Sequence, residues 1–205
     1  MQLSLFPPKE PSRHNFIGCP LLHYPQFISL EKADTYFQRL RQEIDWRQDT
    51  IQIYGKKHLI PRLNAWYGEK SYTYSRNVME ARALTPLLLQ LQEQLRQAFQ
   101  LQFNSVLLNL YRDGQDSMGW HADNEPEIAV NQPIASLSFG ASRRFLLREK
   151  ITKGSRISAE KIAFTLSHGD LFIMYPPTQL RTEHALPKTK KVQEPRINLT
   201  FRCLR

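Results

Sequence analysis

The sequence predicts an α+β fold, a double-stranded β-helix (jelly roll) with helices packed on one side. Two segments with helical apolar period come in the first half of the chain, and short alternating strand-like segments make up most of the rest. Helices that bury their stripes on one face of a double sheet satisfy this order of elements. The jelly roll is the common architecture of that kind that keeps an interior pocket.

The first helix starts after Ser29, a residue type that caps helix N-termini. Leu30, Ala33, Phe37, Leu40 and Ile44 then form one stripe, so the helix is expected to run to about Asp45. The second is capped by Thr85, with Pro86 in its first turn and Leu88, Leu91, Leu95 and Ala98 along one face. Strands are expected over Ile51–Tyr54, Ser105–Tyr111, Ile134–Phe139, Arg144–Arg148, Ile162–Leu166, Leu171–Met174 and Arg196–Arg202. Residues 1 to about 20 contain four prolines and no helical period, and are expected to form a flexible arm. Residues 21–205 are expected to form one domain, and the protein a monomer.

Composition narrows the class. With 41% hydrophobic and 23% charged residues, the chain reads as globular. No apolar run is long enough to span a bilayer, and the N-terminus lacks the pattern of a secretion signal, so a cytoplasmic protein with no membrane partner is expected. Cys19 and Cys203 fit no CxxC pattern, which agrees with a reducing compartment. The net charge of +9 favours polyanions, nucleic acid first among them. Its basic residues cluster at Lys56-Lys57 with Arg62, at Arg143-Arg144, from Arg148 to Arg156 and from Lys188 to Lys191.

Three patterns carry chemistry. Alternation along a strand puts Arg196, Asn198, Thr200 and Arg202 on one face and Ile197, Leu199 and Phe201 on the other. Two guanidiniums on one face suit a ligand with two carboxylates, because the planar donor fork of Arg pairs with carboxylate oxygens. An edge strand with a solvated basic face would also explain the charges. His121-Ala122-Asp123 offers an imidazole and a carboxylate two residues apart, and His184 is a candidate third ligand. Two His and one carboxylate suit non-haem Fe(II) sites that keep positions open. His168-Gly169-Asp170 has the same spacing and is a rival, although Gly and Asp also have an ordinary turn role there. Asn109 and Tyr111 share a strand face and need hydrogen-bond partners, which ligand carboxylate oxygens or backbone groups could supply.

Together these residues resemble the AlkB family of Fe(II)- and 2-oxoglutarate-dependent dioxygenases. The matching elements are Asn109-x-Tyr111, His121-x-Asp123, the run Pro133 to Gly140, His168-Gly169-Asp170-Leu171, His184-Ala185-Leu186-Pro187 and the Arg-x-Asn-x-Thr-x-Arg ending at 196–202. The branch they resemble most contains DNA-repair demethylases and bacterial relatives. The resemblance implies that His121, Asp123 and His184 bind Fe(II). It implies that Arg196, Asn109 and Tyr111 hold the distal carboxylate of 2-oxoglutarate, while Arg202, with Asn198 and Thr200, supports the chelating end. It assigns His168-Gly169-Asp170 to a turn before a core strand. The implied reaction uses O2 and 2-oxoglutarate to hydroxylate an alkyl group on a base nitrogen. From a methyl lesion it yields succinate, carbon dioxide, formaldehyde and the restored base.

The same resemblance makes residues 50–80 a nucleotide-recognition region. Tyr72-Thr73-Tyr74 matches the family's substrate-binding segment, with Trp66 and Tyr67 just before it, and Ile53-Tyr54-Gly55 looks like the finger that fills the gap left by a flipped base. Tyr54 as a strand-end core ring before a hairpin glycine is the alternative. The close DNA-repair relatives carry Asp-Asp-Glu where this chain has Asp123-Asn124-Glu125. Asn124 keeps an acceptor and loses the charge that meets a cationic base, so neutral etheno adducts are expected to gain weight against 1-methyladenine and 3-methylcytosine. Alkylated DNA is the expected substrate, with RNA or protein as alternatives of the same chemistry and a non-catalytic nucleic-acid-binding module as a third class. Gln2, Leu3, Leu5 and Phe6 look like the short peptide by which bacterial repair proteins bind the sliding clamp. A tail whose apolar residues cover the core edge is the other reading.

Overall fold

The computed structural model describes residues 10–53, 56–74, 77–151 and 160–205, the side chains of 52–53, 56–57, 72–74 and 77–78 excepted. In chain order the elements are β1 (Ser12–Phe16), β2 (Cys19–Tyr24), α1 (Leu30–Glu43), β3 (Thr50–Ile53), β4 (Lys56–Leu59), β5 (Leu63–Gly68), β6 (Tyr72–Tyr74), β7 (Asn77–Met79), α2 (Pro86–Phe99) and β8 (Ser105–Tyr111). They continue with β9 (Met118–His121), β10 (Ile134–Gly140), β11 (Arg143–Glu149), β12 (Lys161–Leu166), β13 (Leu171–Met174), α3 (Thr178–Arg181), β14 (Thr182–Leu186) and β15 (Arg196–Arg202). A seven-stranded sheet, ordered β1-β2-β13-β10-β15-β8-β5, faces a four-stranded sheet ordered β12-β11-β14-β9. The pairs β3–β4 and β6–β7 form separate antiparallel hairpins.

Strand alternation explains how one sheet serves two interiors. Val106, Leu108 and Leu110 of β8, Ala135, Leu137 and Phe139 of β10, and Ile197, Leu199 and Phe201 of β15 belong to one core with α1 and α2. The intervening residues face the smaller sheet. At one end these are apolar: Leu21, Ile134, Phe172 and Met174 pack with Leu147, Phe164 and Leu166. Toward β15 and β8 they become polar. Asn64 of β5, Asn109 of β8, Asn198 of β15 and Ser138 of β10 stand in register as one row across four strands.

The helices lie close to where their periodicity places them, with differences in the stripe. In α1 the buried residues are Ala33, Tyr36 and Leu40, while Leu30 is exposed. Tyr36 can be buried because its hydroxyl accepts from Gln90 Nε2 at 3.0 Å and Gln94 Nε2 at 3.3 Å. In α2 the Thr85 hydroxyl accepts from Leu88 N at 3.3 Å, and Leu87, Leu88, Leu91 and Leu95 are buried. Ala98 is exposed, and Phe99 packs on the core instead. Replacing Thr85 by Ala is expected to cost about 0.5–2 kcal/mol in urea denaturation by removing this cap.

Three expectations need correction. The arm expected over residues 1 to about 20 gives way by Ser12, because β1 pairs with β2, and β2 adds to β13 of the large sheet. Trp66 and Tyr67 belong to the interior: Trp66 Nε1 donates to Lys70 O at 3.0 Å, and Tyr67 sits in the core beneath α1 and α2. The edge-strand reading of 196–202 fails, because β15 lies between β10 and β8 and all seven of its residues are buried. Among the described residues no helix is long and apolar enough to cross a membrane.

Candidate active site

The polar half of the space between the sheets is one pocket, walled by β8 and β15 on one side and by β9, the residues after it and β14 on the other. Antiparallel pairing of β14 with β9 sets His184 opposite His121. Their ring centroids are 4.2 Å apart. Asp123 follows two residues later, and ligand atoms from His121, Asp123 and His184 all lie within 4.8 Å of one another. Among the described residues this is the one group of three that could hold a metal ion.

Protonation favours ligation. His121 Nδ1 lies 2.9 Å from Gly119 O, and donation there leaves the Nε2 lone pair, 3.7 Å from Asp123 Oδ1, as the ligand. Burial, reinforced by His121 and Arg202, drops the His184 imidazole to about 3, so it is neutral at neutral pH. Burial pushes the Asp123 carboxyl upward, but Arg202 and the two imidazoles outweigh it and hold Asp123 below its ordinary value. Arg202 Nη2 is 2.8 Å from Asp123 Oδ1, and both side chains are 2% exposed. His184 Nδ1 is buried without a hydrogen-bond partner. A neutral imidazole, an ionised carboxylate and this orphaned lone pair fit a divalent metal with two His and one carboxylate.

Both folded-state values lie below the unfolded ones, so on acidification the unfolded chain takes up protons first. Stability from His184 is therefore lost as pH falls from about 6.5 toward about 3, and that from Asp123 below about 3.8. Metal-free protein is expected to unfold at lower urea concentration at pH 5 than at pH 7, with a smaller difference in His184→Gln. Equal pH dependence in both proteins would contradict the assignment to His184.

The opposite wall is a hydrogen-bonded relay. Arg196 Nη2 donates to Ser138 Oγ at 2.9 Å and to Asn198 Oδ1 at 2.7 Å. Asn198 Oδ1 also accepts from Ser136 Oγ at 3.0 Å, and Asn198 Nδ2 donates to Thr200 Oγ1 at 3.0 Å. Asn198 thus orients Arg196 from the same strand face. The Arg196 guanidinium carbon is 5.6 Å from the centre of the Tyr111 ring. Among the described residues no carboxylate contacts Arg196, although it is 2% exposed. Burial lowers its pKa to about 10, which leaves it charged at neutral pH. A buried cation of this kind calls for an anion.

Three residues here were not singled out as site residues from the sequence. Arg62, counted with a surface basic cluster, is buried and donates from Nε to Asn109 Oδ1 at 2.8 Å. Arg143, likewise counted as surface charge, is buried and donates to the carbonyls of Asp113, Asp116 and Pro187 at 3.0, 2.9 and 2.8 Å. Phe145 places its ring 5.3 Å from that of His184. Only the alternation of β11 hints at an inward Phe145, and nothing local distinguishes a buried Arg from an exposed one.

The rival motif is structural. His168 Nδ1 accepts from Gly140 N at 2.8 Å, and Asp170 accepts from Gln26 N, Ser167 N and His23. Gly169 has φ +80°, and a Cβ there would run into the carbonyl of Ile28. Asn124 is exposed just past Asp123, and Glu125 is half-buried. Tyr54, Gly55 and the peptide residues Gln2, Leu3, Leu5 and Phe6 lie outside the described residues, as do the side chains of Ile53, Tyr72 and Tyr74.

Comparison with known proteins adds an independent finding. Residues 20–202 match the family model described as the 2OG-Fe(II) oxygenase superfamily. The chain is 43% identical over 184 residues to an "Alpha-ketoglutarate-dependent dioxygenase alkB homolog 3" of Bos taurus, an alignment covering 88% of this chain and 64% of that protein. It is 38% identical over 186 residues to a "DNA oxidative demethylase ALKBH2" of Mus musculus, covering 87% of this chain and 78% of the relative. The chain thus spans just under two thirds of the alkB homolog 3 relatives that it matches. The solved structure titled "The structure of OsALKBH1" superposes with a TM-score of 0.64 at 15% identity, over 94% of this chain and 100% of that one, a likeness of fold.

Proposed function

We propose that this chain, which belongs to the 2OG-Fe(II) oxygenase superfamily, repairs N-alkylated bases in DNA by oxidative dealkylation. The observation that carries the reading is the position of the His121–Asp123–His184 cluster in the same pocket as Arg196, a buried cation with no carboxylate in contact among the described residues. That pairing suits Fe(II) and a cosubstrate with a carboxylate at each end. The DNA oxidative demethylase among its relatives supplies the substrate class.

When bound, Fe(II) supplies the activation of O2 that couples decarboxylation of 2-oxoglutarate to hydroxylation of the alkyl carbon. The remaining work falls to the chain. Arg196 neutralises the distal carboxylate of 2-oxoglutarate, with Asn109 and Tyr111 as hydrogen-bonding neighbours. Ser138 and Asn198 hold the Arg196 guanidinium in place. Arg202 keeps Asp123 ionised and oriented. Leu107, Phe145 and Met174 exclude water from the pocket. A hydroxymethyl group on a base nitrogen then collapses to formaldehyde and the unmodified base.

The target base must leave the stack to reach this pocket. In this reading Tyr72 and Tyr74 bind it, Ile53-Tyr54-Gly55 fills the gap, and Asn124 and Glu125 meet its edge. The Gln2-to-Phe6 peptide tethers the enzyme to the sliding clamp of replicating DNA, which raises its local concentration. Deleting residues 1–6 is expected to abolish clamp binding with repair of free oligonucleotides retained; undiminished binding refutes the tether. Both cysteines are free, in keeping with a reducing cytoplasm.

The test uses oligonucleotides that each carry one defined lesion, single- or double-stranded, DNA or RNA, with Fe(II) and 2-oxoglutarate. Base restoration and formaldehyde release are expected on 1-methyladenine and 3-methylcytosine in DNA. Failure on every methylated and etheno base would defeat the reading, and a preference for RNA would move it to the alternative substrate. His121→Ala is expected to abolish turnover, while His168→Ala keeps it, because His168 serves a turn. Asn124→Asp is expected to raise the rate on cationic methylated bases relative to etheno adducts; unchanged relative rates would remove Asn124 from lesion choice.

A further inference from the structure

Asp123 stands just beyond the end of β9, where no strand pairing holds its backbone. Its backbone N–H donates instead to Gln179 Oε1, at 2.9 Å in a fully buried contact. Because a backbone N–H can only donate, the Gln179 carboxamide must turn its oxygen to Asp123. Its Nε2 then faces Met174 Sδ at 3.3 Å, on a strand of the opposite sheet.

Gln179 sits in α3, the single turn that runs directly into β14 and His184. That turn is itself pinned. Thr182 Oγ1 donates to Thr178 O at 2.8 Å, and Lys150 Nζ donates to Gln179 O at 2.7 Å. The carboxamide therefore joins the segment that carries Asp123 to the root of the strand that carries His184. Freed from this bond, Asp123 would have a buried N–H without an acceptor, and its loop would shift to recover one.

We propose that Gln179 is the positioning residue that holds Asp123 in register with His121 and His184 for metal binding. The proposal rests on the metal-centre reading above. It assigns Gln179 no contact with metal, cosubstrate or substrate. Its effect passes through the main chain of a ligand, as outer-sphere partners act in other metal sites.

The experiment titrates the full chain anaerobically with Co(II), followed by visible absorption, for wild type, Gln179→Leu, Gln179→Asn and Gln179→Glu. Leu removes the acceptor, Asn withdraws it by one methylene, and Glu keeps an acceptor at the same reach. Gln179→Leu and Gln179→Asn are expected to raise the Co(II) dissociation constant about 10- to 100-fold and to alter the Co(II) absorption band. Gln179→Glu is expected to stay close to wild type in Co(II) affinity, and the metal-free variants to keep a cooperative melt at a lowered temperature. Wild-type Co(II) affinity in the Leu and Asn variants would overturn the proposal. So would a loss in Gln179→Glu as large as that in the others, because packing and not the acceptor would then be responsible. Should Gln179→Leu fail to fold, the comparison of Asn with Glu decides alone. Absence of Co(II) binding by wild type would instead bring down the metal-centre reading and this inference with it.

Discussion

Arg196→Leu is expected to weaken 2-oxoglutarate binding by about 2–5 kcal/mol, roughly 30- to 5,000-fold in dissociation constant. The reason is burial. Arg196 is 2% exposed, and among the described residues its hydrogen bonds are to Ser138 and Asn198, neither of which carries charge. Its charge is available to a ligand carboxylate in a place where water cannot replace it. Calorimetric titration of 2-oxoglutarate into the Mn(II)-loaded protein, without O2, reads the effect directly. Arg196→Lys should recover part of the loss, because it restores charge but not the planar fork. Unchanged affinity in Arg196→Leu would remove this residue from the cosubstrate site. The variant is not expected to unfold the chain, since it deletes a buried cation that had no counter-charge in contact.

Arg202→Leu should behave differently, although the two arginines share one strand face. Arg202 is paired with Asp123, and both are 2% exposed. Removing the cation leaves a buried carboxylate, so the metal-free variant is expected to lose about 3–5 kcal/mol in urea denaturation. A bound divalent metal replaces the missing positive charge. Mn(II) at roughly 100 times its dissociation constant is expected to return about 2.7 kcal/mol. A loss below about 1 kcal/mol would show that the pair behaves as a solvent-screened one. Full stability without metal would contradict the coupling between Arg202 and Asp123.

The contrast shows what was legible in the chain. Strands buried on both faces of the large sheet have strong local patterns: Ser105–Tyr111, Leu171–Met174 and Arg196–Arg202 agree with β8, β13 and β15 end to end. Of the strands that line the site, the two that carry His121 and His184 were not legible. β9 reads Met-Gly-Trp-His and β14 reads Thr-Glu-His-Ala-Leu. Their composition answers to the pocket and to pairing across the small sheet, so local propensity is overridden. β1 and β2 were hidden by prolines and by their hairpin, whose place in the fold comes from pairing with β13. Basic clusters were the least reliable signal. Arg62 and Arg143 are interior residues that organise Asn109 and three loop carbonyls, a role that charge counting cannot see.

By itself the sequence determined which candidate donors lie together locally. Side chains alternate along a strand, so Arg196, Asn198, Thr200 and Arg202 had to share a face, and His121 and Asp123 had to lie close together. These are consequences of local geometry. Only the tertiary structure decided which histidine completes the cluster, by pairing β14 with β9 so that His184 stands opposite His121. It alone decided that Arg202 is neutralised by Asp123 while Arg196 meets no carboxylate among the described residues, and that Gln179 accepts from the backbone of Asp123. Those relations join residues far apart in the chain. They follow from how the two sheets close on each other, which no local period encodes.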